Sequence, residues 1–572
     1  MPNLRSALTL AIYTTFMVTG CFDSSSSSDS TSTTTTSTTS NYKTSLFVKS
    51  PAIPGGSNGF NFDDKDQMHL TSLFGRAIHI IDTDTGEIKK TFTVDDGIGG
   101  PDDIVLDADN NMYWTSFFSG EVGKTTPSGK TTTQFISLFV NPIAFANDGR
   151  LFVGIDFFGS GLYEIDPNQV EAPKLIDSDV KLNGMEFGPD GLLYASAPNF
   201  AKVVRIDVDQ DIVTDLYDST YKDLGITGSV KFNSKGEFHS FRSTDGMIYR
   251  MDLQTDPLEI ETIGYFSRGM IDNLEFDSKD RLFISNSHDG SVVQMLADGT
   301  TRDVVPPGFV TPGGIAIRTR SDGGVSVFLA DLFTLVEFDA ETGEELSTAH
   351  EDLMPGGFLG PATISLDGRN FITTSSVFPG VQIWDHDNRE PVMDYQGFVS
   401  AVNAIRFQDK LVVAEMGADL QTPRLILMDD SGENRQTIAD ANQGLVTPAG
   451  LLAKEGNLWV SDWSTGKLLQ IASDGIPLTT PITVATGLDK PEGLAIDSAG
   501  RILIVESGKG QVSRLDLVTG HIDVLATKLG LGREGFPGML PTFMFNGIAV
   551  DDKDVIYVTG EIENAIYRIE PK

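Results

Sequence analysis

The chain is poor in cysteine and in positive charge, and each shortage excludes whole classes of protein. Its 572 residues contain one cysteine, Cys21, which excludes a disulfide framework and a cysteine-based zinc site. Lys and Arg number 42 against 80 Asp and Glu, so the formal net charge is −38. A surface of that sign repels phosphate backbones, and we therefore exclude nucleic-acid binding. Hydrophobic residues make up 40% of the chain, enough to exclude disorder of the whole.

Long apolar runs are also missing, and the one near the N-terminus is too short to cross a bilayer. The run from Ala7 to Val18 follows Arg5 and falls short of the roughly 20 residues that a spanning helix needs. It leads into Val-Thr-Gly-Cys at residues 18–21, which resembles the lipobox of bacterial lipoproteins. The resemblance implies a lipid on Cys21 that attaches the protein to a membrane. An ordinary secretory signal peptide is the alternative.

The segment after Cys21 predicts a tether. Residues 24–40 consist of Ser and Thr with one Asp, a composition that cannot bury apolar area and stays flexible. Phe22, rather than Asp, follows the cysteine, which by analogy with lipoproteins favours the outer membrane or the cell surface. We therefore assign residues 1–20 to a signal peptide and residues 21–42 to the lipidated cysteine and its tether, in the bacterial cell envelope.

From residue 57 onward one pattern of short strands and polar turns recurs twelve times. Copies read PDDIVLDADNNMYWTS at 101–116, LNGMEFGPDGLLYAS at 182–196, PEGLAIDSAGRILIVE at 491–506 and FNGIAVDDKDVIYVT at 545–559. The alternation of apolar and polar positions predicts antiparallel strands. We call the residue that opens the first strand of each copy its anchor, and the anchors are Asn58, Asp102, Asn141, Asn183, Gly228, Asp272, Gly313, Ala362, Asn403, Ala449, Glu492 and Asn546. Their mean spacing is about 44 residues, typical of four-stranded propeller blades.

Twelve blades form either two six-bladed rings in tandem or a single twelve-bladed ring. Propellers have about four to eight blades, which favours two rings, at 43–300 and 301–572. The last copy lacks an outer strand, and a lone strand at 45–50 precedes the first anchor. In two rings, residues 45–50 would supply the outer strand of the first ring and residues 302–306 that of the second. In a single ring, residues 45–50 would complete the last copy.

The phrases LNGMEFGPDGLLYAS, PEGLAIDSAGRILIVE and FNGIAVDDKDVIYVT resemble the NHL-repeat and senescence-marker-protein/gluconolactonase propellers, a superfamily that includes the paraoxonases. The resemblance covers nearly all of residues 45–572. It implies the fold much more specifically than an activity, because the superfamily holds lactonases, esterases, lyases and protein-binding rings.

In propellers of this kind the first residue of the innermost strand faces the mouth of the central channel. The anchors of the first ring are therefore candidate ligands of a calcium ion, which prefers six to eight oxygen atoms. Five of the six carry oxygen, namely Asn58, Asp102, Asn141, Asn183 and Asp272. The second ring offers fewer oxygens, from Asn403, Glu492 and Asn546, and predicts a weaker site. Local hydrogen bonding that opens each strand is the competing interpretation of these residues.

The resemblance also implies residue roles, and it fails at one blade. Asn183-Gly184 is similar to the Asn-Gly metal-ligand motif of the enzymatic relatives, and Asp272-Asn273 to the Asp-Asn pair of the paraoxonases. Gly228 stands where those relatives carry an acid, so the metal site departs from theirs. If the ring is an enzyme, the cation polarises a lactone or ester carbonyl, and Asp102 or Asp272 takes a proton from water.

Turns between the second and third strands of the first ring carry an aromatic set. Clustered exposed aromatic side chains mark binding surfaces, and packing between blades is the alternative. The set consists of Phe74, Phe117, Phe118, Phe157, Phe158 and Phe200. We predict a ligand rim around a polar well. Two functions follow: a binding module for a ligand or an envelope protein, or a calcium-dependent lactonase or esterase acting on a small lactone or ester.

Overall fold

The computed structural model describes residues 41–156, 159–197, 202–217, 227–243, 245–255, 258–266, 268, 271–351, 357–375, 380–417, 420–537, 539–542 and 544–572. Within these residues the chain forms twelve four-stranded antiparallel sheets and three single-turn 3₁₀ helices, Val94–Asp96, Ala441–Gln443 and Ser507–Lys509. None of the helices in this part of the chain has the length and apolarity that a membrane crossing requires. The prediction of an all-β fold is confirmed.

The first strand, β1, spans Tyr42–Lys49 and is followed by six sheets built from consecutive strands. These six blades are β2 Phe60–Phe62, β3 Gln67–Ser72, β4 Ala77–Asp82, β5 Ile88–Phe92; β6 Ile104–Leu106, β7 Met112–Ser116, β8 Glu121–Thr125, β9 Thr131–Phe135; β10 Val140–Phe145, β11 Leu151–Ile155, β12 Leu162–Ile165, β13 Lys174–Asp177; β14 Met185–Phe187, β15 Leu193–Ala197, β16 Lys202–Asp207, β17 Ile212–Tyr217; β18 Thr227–Phe232, β19 Phe238–Arg242, β20 Met247–Asp252, β21 Glu259–Tyr265; β22 Asn273–Phe276, β23 Leu282–Ser285, β24 Val292–Met295, β25 Thr301–Val305. Their innermost strands contact one another in order, and β22 contacts β2 again, so they close into ring 1.

The remaining strands form a second closed set. Its blades are β26 Ile315–Thr319, β27 Val325–Asp331, β28 Thr334–Asp339, β29 Glu345–His350; β30 Thr363–Asp367, β31 Asn370–Ser375, β32 Gly380–Asp385, β33 Glu390–Tyr395; β34 Ala401–Phe407, β35 Lys410–Glu415, β36 Arg424–Met428, β37 Arg435–Asp440; β38 Pro448–Lys454, β39 Asn457–Asp462, β40 Lys467–Ser473, β41 Ile476–Ala485; β42 Pro491–Ile496, β43 Ile502–Glu506, β44 Gln511–Leu515, β45 Ile522–Thr527; β46 Ile548–Val550, β47 Ile556–Gly560, β48 Ala565–Pro571 with β1. The innermost strands again contact in order, and β46 contacts β26, which closes ring 2. Two six-bladed propellers are thus confirmed.

Each ring closes through a hydroxyl on the second strand of a blade. The Ser285 hydroxyl donates to the Asn58 carbonyl at 2.6 Å and joins the last blade of ring 1 to the first. In ring 2 the Thr559 hydroxyl donates to the Gly313 carbonyl at 2.7 Å. Because the accepting carbonyl belongs to an anchor residue, the small Ser or Thr opposite it holds the anchors at the channel.

The acidic turns between the first and second strands also join blades. Asp66, Asp280 and Asp554 have φ values of 58°, 56° and 58°, a backbone region that short polar residues tolerate better than most. Their carboxylates accept hydrogen bonds from serines in the same turn of the preceding blade: Ser278 N–H to Asp66 at 3.0 Å, Ser234 N–H to Asp280 at 2.8 Å and Ser498 N–H to Asp554 at 2.8 Å. These charged turns therefore connect adjacent blades through specific hydrogen bonds.

Strand β1 completes the last blade of ring 2, and this corrects the strand assignment made from the sequence. It pairs antiparallel with β48, from Tyr42 opposite Pro571 to Lys49 opposite Ala565. Residues 302–306, expected to be the outer strand of ring 2, overlap β25, which pairs with β24 in ring 1. The physical reason is the short hairpin between β24 and β25, since a local pairing loses less chain entropy than a distant one.

The compact units differ accordingly from the boundaries expected at 43–300 and 301–572. One unit consists of Ser50–Thr311 with Glu534–Phe543, and the other of Pro312–Arg533, Met544–Lys572 and the segment that contains β1. The expected boundary between residues 300 and 301 falls in the turn just before β25, so ring 1 continues beyond it. Tyr42, which falls within the predicted tether of residues 21–42, is the first residue of β1.

Candidate functional site

The mouth of ring 1 brings together anchors of four blades around one carboxylate. Asp156 follows β11 and is fully buried. The amide of Asn141 donates to Asp156 Oδ2 at 3.1 Å, and the amide of Asn183 donates to the same oxygen at 2.6 Å. The charge of Asp156 also acts on Asp102 and on Asp272, so the three carboxyls are near enough to interact electrostatically. Asp156 was missed by the sequence analysis because it ends a second strand, whereas the anchors open first strands.

The carboxyls at this mouth hold their protons more tightly than free ones. Burial raises the pKa of the Asp102 carboxyl well above its ordinary value, and the charges of Asp272 and Asp103 raise it further. Burial raises the pKa of Asp272 to about 7, with an added contribution from Asp103 and an opposing hydrogen bond from the Ser287 hydroxyl. Crowded, partly desolvated carboxyls take up either protons or a cation.

A second layer of charged residues lies three positions beyond the anchors of the fourth, fifth and sixth blades, and Asp103, directly after the anchor Asp102, belongs to it. The Lys231 ammonium is 2.7 Å from Glu275, and the Asn61 amide donates to the same carboxylate at 3.2 Å. Burial lowers the pKa of Lys231, but the charges of Glu275, Glu186 and Asp103 raise it more, so this side chain stays an ammonium.

Two carboxyls of this layer, Glu186 and Asp103, are protonated more readily than usual. Burial raises the pKa of Glu186 to about 8 against the attraction of Lys231. Burial also raises the pKa of Asp103 to about 6, again moderated by Lys231. The sequence signal was present but unused, since charged residues occur three positions after the anchors of the fourth, fifth and sixth blades. We call the following residues the channel set: Asp102, Asp103, Asp156, Glu186, Lys231, Asp272 and Glu275.

Two anchors of ring 1, Asn58 and Gly228, have structural roles. The amide oxygen of Asn58 accepts the Leu73 N–H at 3.0 Å, the strand-opening role that competes with metal binding. Gly228 leaves room for an aromatic ring, because a Cβ there would lie 2.1 Å from the ring of Phe241. An acid at this blade would therefore displace a buried side chain.

The fit of a calcium ion to this mouth depends on amide oxygens. Among the described residues, no three His, Cys, Asp or Glu side chains form a group that could hold a metal ion. Asn141 and Asn183 each direct an amide N–H at Asp156, which turns their oxygens away from it. Asp102, Asp272 and these two amide oxygens are hard ligands of the kind that calcium prefers. The types of donor therefore match calcium, although no three of the described acidic side chains are grouped closely enough to hold a metal ion by themselves.

The corresponding residues of ring 2 form hydrogen bonds with other protein groups. The Asn403 amide donates to the Ala449 carbonyl at 3.1 Å. Glu492 is fully buried and accepts the Asn546 N–H at 2.7 Å and the Trp463 indole N–H at 3.2 Å. The Asn546 amide in turn donates to Glu561. These contacts join neighbouring blades of ring 2.

The acid pair of ring 2 is also crowded. Burial raises the pKa of Glu492 to about 8, and the neighbouring Glu561 adds to the shift. Burial raises the pKa of Glu561 to about 7, against the attraction of the Arg533 guanidinium. The sequence analysis missed Glu561 for the same reason as Asp156, since it directly follows the second strand of its blade.

The predicted aromatic rim is wrong for two of its members and untested for three. Phe74 and Phe117 are buried, with 7% and 9% of their surface exposed, and Phe118 is half-buried. Phe118 packs against Phe536 with ring centroids 4.8 Å apart. A segment distant in sequence therefore covers this part of the rim. Phe157, Phe158, Phe200 and Cys21 lie outside the described residues.

Comparisons with known proteins find similar folds. No family model matches this chain, and no curated protein matches it. A streptogramin B lyase is similar over 50% of this chain and 94% of its own, at 14% identity and a TM-score of 0.36. The extracellular domain of a hybrid two-component system from B. thetaiotaomicron is similar over 91% of this chain and 82% of its own, at 11% identity and a TM-score of 0.33. A gluconolactonase from Xanthomonas campestris is similar over 43% of this chain and 87% of its own, at 15% identity and a TM-score of 0.35.

Proposed function

We propose that this chain is a cell-envelope binding protein whose ring 1 holds a calcium ion at its mouth and presents a surface for a ligand or a protein partner. The observation that supports the proposal is that Asn141 and Asn183, on neighbouring blades, both donate to the buried Asp156, whose charge acts on Asp102 and Asp272. The channel set contains six carboxyls and one ammonium. Such an excess of buried acid is relieved by proton uptake or by a cation.

The envelope location rests on the N-terminal sequence. Arg5, the apolar run from Ala7 to Val18 and the Val-Thr-Gly-Cys phrase support export and a lipid on Cys21. The Ser- and Thr-rich tether that follows would hold the two rings away from the membrane surface, with the outer membrane as the proposed site of attachment.

Calcium binding is tested by titration calorimetry on the full chain and on Asp272→Asn. We expect a dissociation constant on the order of 10⁻⁴–10⁻³ M, as in extracellular modules with few carboxylates. Loss of one carboxylate should weaken binding by about 10-fold or more. Asp298→Asn is the matched control, because Asp298 caps an exposed hairpin of the same ring through Thr300. Equal affinities of all three chains, or no binding at millimolar calcium, would contradict the site.

The same titration should depend on pH. Since the pKa values of Asp102 and Asp272 are raised, calcium has to displace protons from the mouth. We expect the affinity to increase between pH 6 and pH 8 and proton release to be measurable by repeating the titration in buffers of different ionisation enthalpy. A flat pH profile would place the bound ion elsewhere.

A calcium-dependent lactonase or esterase is the second candidate, favoured by one observation. A pKa of about 7 leaves Asp272 poised to accept a proton near neutral pH, as a general base requires. We expect a panel of lactones and aryl esters to include a substrate whose hydrolysis is abolished by chelation and falls by about 100-fold or more in Asp272→Asn. Absence of hydrolysis at saturating calcium would exclude the lactonase or esterase candidate, and binding would remain as the proposed function.

A further inference from the structure

The connection between β45 and β46 contains a loop that packs with ring 1. It runs from residue 528 to residue 547, whereas the equivalent connection between β41 and β42 runs only from 486 to 490. Its middle part, Glu534–Phe543, belongs to the compact unit of Ser50–Thr311. We call these ten residues the cap.

The cap is held together by its own backbone. Glu534 forms an isolated antiparallel bridge with Thr542, and the Gly535 N–H donates to the Pro541 carbonyl at 3.1 Å. The Met539 N–H donates to the Phe536 carbonyl at 3.1 Å and closes the tip. The cap therefore presents Phe536 from a preformed turn, and presentation of one side chain in this way lowers the entropy lost on docking.

Phe536 docks in a site made by ring 1. It is 3% exposed, and its ring lies 4.8 Å from that of Phe118 and 5.7 Å from the Arg76 guanidinium. Arg76 Nη1 also donates to the Gly535 carbonyl at 3.1 Å. Phe118 in turn contacts Phe117 and Phe74, with centroid distances of 5.2 and 6.2 Å. Aromatic contacts, a cation over a ring and a charge-assisted hydrogen bond are typical of binding anchors.

A glycine shapes the floor of this site and places it beside the channel. Gly100 has a φ of 110°, and a Cβ there would lie 2.3 Å from the ring of Phe536. Only Pro101 separates Gly100 from Asp102 of the channel set. We define the aromatic seat as Phe74, Arg76, Gly100, Phe117 and Phe118.

We propose that the aromatic seat is a docking site for a peptide loop that presents an aromatic side chain, and that the cap is its resident, displaceable occupant. Glu534 and Pro537 on either side of Phe536 are exposed, whereas the Phe536 ring and the Gly535 carbonyl contact the seat. A tethered loop competes at an effective concentration in the millimolar range. A partner with a similar loop and further contacts would replace it and gain access to the mouth.

The proposal is tested on the full chain with a fluorescent synthetic peptide, EGFPGMLPTF, which copies residues 534–543. Phe536→Ala should release the cap and bind the peptide with about 10-fold or higher affinity than the unaltered chain, in which the resident loop competes. Pro537→Ala is the matched control and should behave as the unaltered chain does. The same peptide with Ala at its phenylalanine should not bind, and Phe118→Ala added to Phe536→Ala should abolish binding of the original peptide.

Hydrogen exchange on the unaltered chain gives a second readout that does not depend on the folding of any variant. If the cap opens, amides of residues 534–542 exchange about 100-fold or more faster than those of β7, the neighbouring core strand. Equal protection of cap and β7 would overturn the proposal, as would equal peptide affinity for the unaltered chain and Phe536→Ala. Peptide binding that survives Phe118→Ala would place the docking site elsewhere.

Discussion

Deletion of residues 42–49, the whole of β1, is expected to lower the melting temperature of ring 2 by about 10–20 °C. The deletion removes the outer strand of the last blade and leaves β48 with an unpaired edge. It also uncovers Tyr557, which is 1% exposed and whose ring centroid lies 5.1 Å from that of Phe47. A loss of several kcal/mol follows from the backbone pairing and the buried aromatic contact together.

The measurement is hydrogen exchange followed by mass spectrometry, which resolves the blades within the intact chain. Amides of β47 and β48 should lose protection, while β22 and β23 of ring 1 keep theirs. Deletion of residues 24–40 is the matched control, because it shortens the chain in the same region without removing a described strand. Unchanged protection of β47 and β48 would contradict the closure by β1.

The same variant allows a rescue experiment. An added peptide of residues 41–50 should pair with β48 and restore protection, because a free sheet edge accepts an extended segment. Recovery by this peptide and none by a scrambled peptide would attribute the loss to the missing strand. If the peptide does not restore protection of β47 and β48, then the deletion lowers stability by changing the unfolded state and not by removing a paired strand.

The local part of the fold could be predicted from the sequence, because its determinants are close together in the chain. Thr85-Gly86 and Thr519-Gly520 are turn dipeptides that indicate hairpins, and both glycines have positive φ, 74° and 71°. Asp298-Gly299 carried the same signal and could have placed β25 beside β24. The twelve anchors followed from the repeat length, and the innermost strand of each sheet begins within two residues of its anchor.

The rest depends on contacts between residues that are distant in the chain. Asp156 belongs to the mouth because the amides of Asn141 and Asn183, on different blades, both donate to it. No local sequence pattern indicates these two hydrogen bonds. Lys231 is set among carboxyls of three other blades. Phe536 contacts Phe118 although the two residues lie far apart in the chain. No local sequence pattern indicates this contact, so the aromatic set has the pattern of an exposed rim. The composition limits the number of candidate ligands, but the packing of the blades decides which side chains form contacts with each other.

Replacement of Glu351 by Gln is expected to stabilise ring 2 at alkaline pH. Glu351 follows β29, is 9% exposed and accepts the Gly360 N–H at 3.3 Å. Burial raises its pKa from 4.5 to about 7. The folded state therefore keeps this proton better than the unfolded state does, and stability falls as the pH rises from about 4.5 through 7. Above that range the ionised carboxylate costs about 3 kcal/mol, which Gln removes while its amide oxygen still accepts from Gly360.

Urea unfolding at pH 8.5 and at pH 4.5 measures the effect, and Glu337→Gln supplies a control of opposite sign. Glu337 accepts from Ser326 at 2.7 Å, and its hydrogen bond with His386 lowers its pKa to about 2. Its stabilisation is present above about 4.5 and is lost as the pH falls through 2, so Glu337→Gln should destabilise ring 2 at pH 8.5. Glu351→Gln should gain about 2–3 kcal/mol at pH 8.5 and little at pH 4.5. If Glu351→Gln destabilises the ring at both pH values, the carboxylate is bound by a cation or a donor that compensates its burial.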